Sequence, residues 1–285
     1  FCRIIKKLLD KFSPHYIALV WDSKGKTERH AIYPAYKATR QAAPSDLFEQ
    51  KNKIIEFADL IGLHQVAQVG VEADDLLYSL AKDFSQAGQK VVLVTSDKDM
   101  FQLLNDQIVV FDAFKDEFLT REQYESKLGF SVAKIPFYFA LLGDSSDNIP
   151  GVRGIGAKGA TDLVKQFKNL DDLYENLKQV DKGKTREALR ENRQNAYLSF
   201  DLFSLRYHHL NLVLGDLDFK IENWQKARDL FIALDFKSLL KELDNLPANL
   251  EADNKKTFFA DFKGYQFLPI MDENLLIAVC QKLKT

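Results

Sequence analysis

The sequence predicts an α/β protein, with a parallel sheet core over residues 1–131 followed by a mostly α-helical subdomain over 132–245. Three observations point there. Short β-branched runs such as Tyr16–Trp21 and Val91–Val94 look apolar on both faces, as the strands of a buried parallel sheet do. These runs alternate with stretches of helical periodicity. From Val132 onward the pattern stays helical and the breaks become glycine-rich.

Taken in order, Ile4, Ile5, Leu8, Leu9 and Phe12 follow helical spacing, which predicts an amphipathic helix packed on a sheet rather than a basic targeting peptide. The chain starts at Phe1 inside that pattern and reads as a fragment. His15–Trp21 is the first expected strand, followed at once by Asp22. Residues 23–45 are polar and basic, hold Pro34 and Pro44, and are expected to be exposed. A helix is expected over Ser45–Ile61, a short strand over His64–Val69, and a helix from Glu72 to about Phe84. Strands at 90–95 and 107–111 and a helix at 121–128 complete the core. Residues 246–262 read as a linker. Tyr265–Met271 and Asp272–Leu283 then read as one strand and one helix of a further domain, covering 263–285.

The chain has 285 residues, 39 Lys and Arg against 41 Asp and Glu, and a formal charge of −2, so no uniformly basic coat exists to hold nucleic acid. A local basic patch remains compatible with that balance. Cys2 and Cys280 are the only cysteines, which excludes a disulfide framework and a thiolate metal site and fits a reducing cytosol. The five histidines fall in no metal-ligand spacing. No apolar run approaches the roughly 18 residues of a membrane span. An ion bound by this chain must therefore sit among oxygen ligands.

Oxygen ligands are plentiful at telling positions. Asp22, the trio Glu72, Asp74 and Asp75, and the pair Asp97 and Asp99 each lie just past a strand or at a helix start. In open α/β sheets reactive groups gather beyond the carboxyl ends of the strands. Asp144 and Asp147 in "GDSSDN" add two more. Each acid alone is equally well explained as a helix cap or turn residue. Together on one sheet edge they would repel by about 4 kcal/mol per pair at 4 Å and an effective dielectric near 20. Hard divalent ions, Mg²⁺ or Mn²⁺, are the natural partners of such a cluster, and two of them could clamp a phosphodiester.

Two further segments suit nucleic acid. Lys24, Lys26, Arg29, Lys37 and Arg40 are interleaved with Tyr33 and Tyr36, a mixture that neutralises phosphate and stacks on bases. The run "IPGVRGIGAKGA" places Gly151, Gly154 and Gly156 before a helix carrying Lys158, so that backbone N–H groups can face a phosphate. Taken alone, the glycine spacing reads equally well as a tight helix–helix turn.

In combination these stretches resemble a known family. "WDSKGKTERHAIYPAYKATR", "GVEADD", "TSDKDM" and "LLGDSSDNIPGVRGIGAKGA", in this order, are similar to the 5′-nuclease domain of bacterial DNA polymerase I, a member of the flap endonuclease superfamily. The likeness runs from Phe1 to about residue 245, and "GYQFLPIMDENLLIAVCQKLKT" is more weakly similar to the start of the 3′–5′ exonuclease-like domain. The resemblance implies a PIN-like core and a helix-hairpin-helix subdomain that grips duplex DNA. It implies two Mg²⁺ ions, one served by Asp22, Glu72, Asp74 and Asp75, the other by Asp97, Asp99, Asp144 and Asp147. Lys37 and Arg40 match the arch residues that contact the scissile phosphate, and Tyr36 one that stacks on the displaced base. Gly151, Gly154, Gly156 and Lys158 match the duplex-binding hairpin, and Lys24, Lys26 and Arg29 lie in the basic segment leading to the arch.

The implied activity is 5′–3′ exonuclease and flap endonuclease cleavage of 5′ flaps, nicks and RNA primer–DNA hybrids, in a bacterial cytoplasm at the nucleoid. The implied parent is a monomer joined to polymerase domains. One departure stands out. The family opens on a strand carrying a metal-binding Asp, and nothing in this sequence matches it, so the sheet is expected to lack its central strand and to expose an apolar slot. The competing expectation is a non-catalytic DNA-binding fragment with an incomplete metal site. A PIN-type ribonuclease ranks below both, because it does not predict the glycine hairpin.

Overall fold

The computed structural model describes residues 1–40, 44–244 and 275–281. Its centre is a six-stranded sheet. In chain order the core elements are α1 (Cys2–Phe12), β1 (Tyr16–Trp21), α2 (Glu28–Ile32), α3 (Ser45–Leu60), β2 (His64–Val66), α4 (Ala73–Gln86), β3 (Lys90–Val94), β4 (Ile108–Asp112), β5 (Glu117–Leu119) and α5 (Arg121–Leu128). The helical part holds α6 (Ile135–Leu142), α7 (Ala157–Gln166), α8 (Leu170–Glu175), α9 (Gly183–Glu191), α10 (Arg193–Phe203), α11 (Arg228–Ala233) and α12 (Lys237–Asp244). The last strand is β6 (Leu275–Gln281).

The strand order is β2-β1-β6-β3-β4-β5, parallel except for β5, which pairs antiparallel with β4. Because β1 and β3 point the same way, Asp22 and Asp97 leave the sheet along one edge. The expected parallel core is therefore present, and the helix over 121–128 has the expected bounds. β5 escaped the sequence reading because three residues carry too little pattern.

Two expectations about the C-terminal segment need correction. The slot between β1 and β3 is filled, not empty. β6 pairs with β1 from Tyr16↔Leu276 to Trp21↔Gln281 and with β3 from Lys90↔Leu275 to Val94↔Val279. The region read as a helix over 272–283 thus contains a strand, because a short apolar run such as "LLIAVC" carries no periodicity that separates the two. Two unpaired inner strand edges also present N–H and C=O groups that a third strand satisfies. The linker expected over 246–262 lies outside the described residues.

Apolar side chains form two layers on either side of the sheet. One joins Ala18, Val20, Val91 and Leu93 to α4 and to the helical part through Leu141, Val152 and Leu163. The other packs Ile17, Leu19, Val92 and Val94 under α1, α3 and the aromatic group Phe57, Trp224 and Phe231. Alternate residues of one strand thus serve opposite faces, as a doubly covered parallel strand requires. Among the described residues no helix is long and apolar enough to cross a membrane.

Candidate active site and nucleic-acid interface

The turns that follow β1 and β3 carry Asp22 and Asp97 to one edge of the sheet. Asp22 Oδ1 accepts a hydrogen bond from Ala73 N at 2.9 Å, which fixes the end of β1 against the start of α4. Glu72 precedes that helix, and Asp74 and Asp75 occupy its first turn, where the helix dipole favours negative charge. All three are buried. Asp97 caps the short helical turn Lys98–Leu103 by accepting from Asp99 N at 2.9 Å. Asp144 and Asp147 lie in the loop after α6.

The protein's own cations offset the repulsion expected among these acids. Lys37 Nζ lies 3.0 Å from Glu72 Oε2, and the same oxygen accepts from the Tyr36 hydroxyl at 3.2 Å. Thr27 Oγ1 donates to Glu72 Oε1 at 2.9 Å. Burial alone would raise the Glu72 pKa, but Lys37 and Arg29 overcome it and hold the carboxyl below its ordinary range. Arg40 reaches Asp147 Oδ1 from Nε at 3.0 Å and from Nη2 at 2.5 Å. Lys98 Nζ sits 2.8 Å from Asp144 Oδ2 and 4.6 Å from the Phe139 ring centre.

Beside Glu72 and Asp74, four more of the expected site residues are internal. Arg29, only 3% exposed, donates twice to Asp75 and is not on a DNA-facing surface. Asp75 accepts those two bonds and a third from Arg206 N at 2.9 Å, so both of its oxygens face protein donors. Tyr36 is 5% exposed and cannot stack on a base in this arrangement. Gly151 is buried, and its N–H donates to Ser199 Oγ at 2.9 Å, away from any phosphate. In each case a polar group finds a buried partner on another segment of the chain. A sequence pattern does not display those partners.

The remaining expected interface residues are accessible. Lys24, Lys26, Gly154, Gly156 and Lys158 are exposed, as is Arg153 between the glycines. Gly143 and Gly151 shape the loop joining α6 to α7. Both have positive φ, and a Cβ on Gly151 would lie 2.5 Å from Gly143 N. The loop therefore depends on two glycines in contact, with Gly154 and Gly156 standing clear of neighbours.

Sequence reasoning missed three residues at this edge. Thr27 and Lys98 bind acids directly, and Lys98 was visible in "SDKD", flanked by Asp97 and Asp99. Lys51 on α3 lies 4.9 Å from the Trp21 ring centre. Burial lowers the Lys51 pKa against the pull of Asp22. Nothing in the spacing of α3 signals that contact.

Hard carboxylate oxygens are the donor set that divalent ions such as Mg²⁺ prefer, so the chemistry of Asp22, Glu72, Asp74, Asp97, Asp99, Asp144 and Asp147 fits. Among the described residues, however, no three His, Cys, Asp or Glu side chains are grouped to hold an ion.

Comparison with known proteins gives the family. Residues 1–129 match the family model described as 5′-3′ exonuclease, N-terminal resolvase-like domain, and residues 130–227 match 5′-3′ exonuclease, C-terminal SAM fold. The 5′-3′ exonuclease of Aquifex aeolicus is 36% identical over 248 residues, covering 86% of this chain and 84% of that protein. This chain belongs to the 5′-3′ exonuclease family. DNA polymerase I of Caldicellulosiruptor bescii is 35% identical over 250 residues, which are 85% of this chain but 29% of the polymerase. The family is one of nucleases acting on DNA. Among solved structures, zinc-bound T5 5′-exonuclease aligns with a TM-score of 0.62 at 22% identity, covering 85% of this chain and 88% of that one. The catalytic core of Rad2 in complex with a DNA substrate aligns at 0.55 and 16%, covering 85% and 82%. These two likenesses show that the chain shares their fold.

Proposed function

We propose that the chain is the nuclease part of a DNA polymerase I-type protein, a Mg²⁺-dependent, structure-specific 5′–3′ exonuclease and flap endonuclease. Its substrates on this reading are 5′ flaps, nicks and RNA primer–DNA hybrids, and its roles primer removal and repair in a bacterial cytoplasm. One observation carries the reading. Lys37 and Arg40, the cations of the basic segment, reach the same sheet edge as the acids and already touch Glu72 and Asp147.

Asp22, Glu72 and Asp74 would hold one ion, and Asp97, Asp99, Asp144 and Asp147 a second. When bound, such ions neutralise the phosphodiester and activate the attacking water. The rest falls to the chain's own groups. Lys37 and Arg40 exchange their carboxylate partners for the scissile phosphate and stabilise the charge that builds on it. Lys24, Lys26, Arg153 and Lys158 hold the backbone, with Gly154 and Gly156 letting it approach the start of α7.

The test is cleavage of a 5′-flap duplex by this chain with and without Mg²⁺. Lys37→Ala is expected to lower kcat on the order of 10²-fold with flap affinity nearly unchanged. Metal-independent or absent cleavage, or a Lys37→Ala variant with full turnover, defeats the reading. A non-catalytic DNA-binding role is favoured by the lack, among the described residues, of a three-ligand group. Binding without cleavage in the same assay would select it.

A further inference from the structure

We propose that Arg29 is a positioning residue, a buried clasp that fixes the Lys37- and Arg40-bearing segment to α4 and to the end of α10, with Asp75 serving this clasp instead of an ion. The guanidinium uses its whole fork. Nη1 and Nη2 donate to Asp75 at 2.5 and 2.9 Å, Nε to the carbonyl of Leu202 at 2.8 Å, and Nη2 again to that of Ser204 at 3.1 Å. Nη1 also lies 3.7 Å from Glu72 Oε2, the oxygen that holds Lys37. Three stretches distant in sequence thus meet at one side chain.

The knot continues on the far side of Asp75. Arg206 N donates to its Oδ1, Ser79 Oγ donates to its backbone carbonyl at 2.6 Å, and His208 N donates to Ser79 Oγ at 2.9 Å. From the clasp the chain runs through α2 to the turn bearing Lys37. That turn is tied at its other end by Lys37 N to Asp147 O at 2.9 Å and by Asn148 Nδ2 to Ala35 O at 2.7 Å. Lys37 itself sits at φ 56°, a conformation that a non-glycine residue keeps only when its surroundings impose it. The clasp and these two bonds are what impose it.

A planar fork with five donors cannot be replaced by an ammonium group. Removing one member of a buried pair leaves the other charge stranded, whereas replacing both with apolar groups is tolerated. The test therefore uses the full 285-residue chain as Arg29→Lys and as the paired change Arg29→Met with Asp75→Leu. Amide exchange is read along the chain. We expect residues 33–40 to lose protection by roughly tenfold while β1 and β3 keep theirs.

This proposal rests on the nuclease reading, and the exchange arm separates the two. Wild-type protein that cleaves nothing defeats that reading, while the exchange data still report on the clasp. In the cleaving enzyme, Arg29→Lys should lower kcat by about 10²-fold with KM little changed, because misplacement by about 1 Å costs that much. Combined with Lys37→Ala it should cost little beyond Lys37→Ala alone. Unchanged exchange over 33–40, or losses that add fully, would overturn the proposal.

Discussion

The ring of Tyr36 is packed inside the protein, and its hydroxyl donates to Glu72. Burial, reinforced by the Glu72 charge, pushes its phenol far above the usual tyrosine range, so it remains a donor. A tyrosine read from sequence as a stacking platform is here part of the acid edge. The two roles predict different losses. Tyr36→Phe keeps a ring that could stack but removes a hydrogen bond to a buried carboxylate, worth about 1.5–3 kcal/mol. Thermal unfolding should show that loss, with flap affinity unaltered. An unchanged melting temperature with weakened binding would restore the stacking role. The burial of Arg29 against Asp75 was hidden for the same reason, since residue type and spacing identify a charge but not the partner that buries it.

At the level of elements, the loop between α6 and α7 contains glycines of two kinds. Gly151 has φ 59°, and a Cβ there would meet backbone of Leu142 and Gly143 at 2.5–2.8 Å. Gly156 has φ −91° and open space around its would-be Cβ. Gly151→Ala should therefore destabilise the protein by roughly 1–3 kcal/mol from backbone strain alone, and by more once the clash is added. Gly156→Ala should leave unfolding unchanged yet weaken duplex binding, because the methyl group stands where a phosphate would approach. Chemical denaturation and binding measured on both variants check the contrast, and equal effects would refute it. The spacing of these glycines marked the loop in the sequence, as the alternation of apolar runs marked β1, β3 and α4. Which glycine shapes the loop and which faces outward depends on α10 supplying Ser199, a contact 48 residues away.

Across the whole molecule, the parallel sheet and the placing of Asp22 and Asp97 past β1 and β3 were legible because both follow from local patterns with a fixed direction. The position of β6 was not. A strand inserted between β1 and β3 from beyond residue 270 is a long-range pairing, and no local signal records which edge such a run will join. Charge is another property of the whole. With 39 basic and 41 acidic side chains, attraction for DNA must come from a local group of cations, and Lys24, Lys26, Arg153 and Lys158 are exposed. Each phosphate neutralised releases condensed counterions, so the logarithm of the duplex binding constant falls linearly with the logarithm of salt, by about 0.9 per contact. Lys158→Ala should weaken binding to flaps of any sequence alike and reduce that slope by about 1. Titrations of a labelled flap duplex over a range of potassium chloride concentrations measure both quantities. A slope that stays the same would mean that Lys158 touches no phosphate and that the hairpin is not the duplex-gripping face.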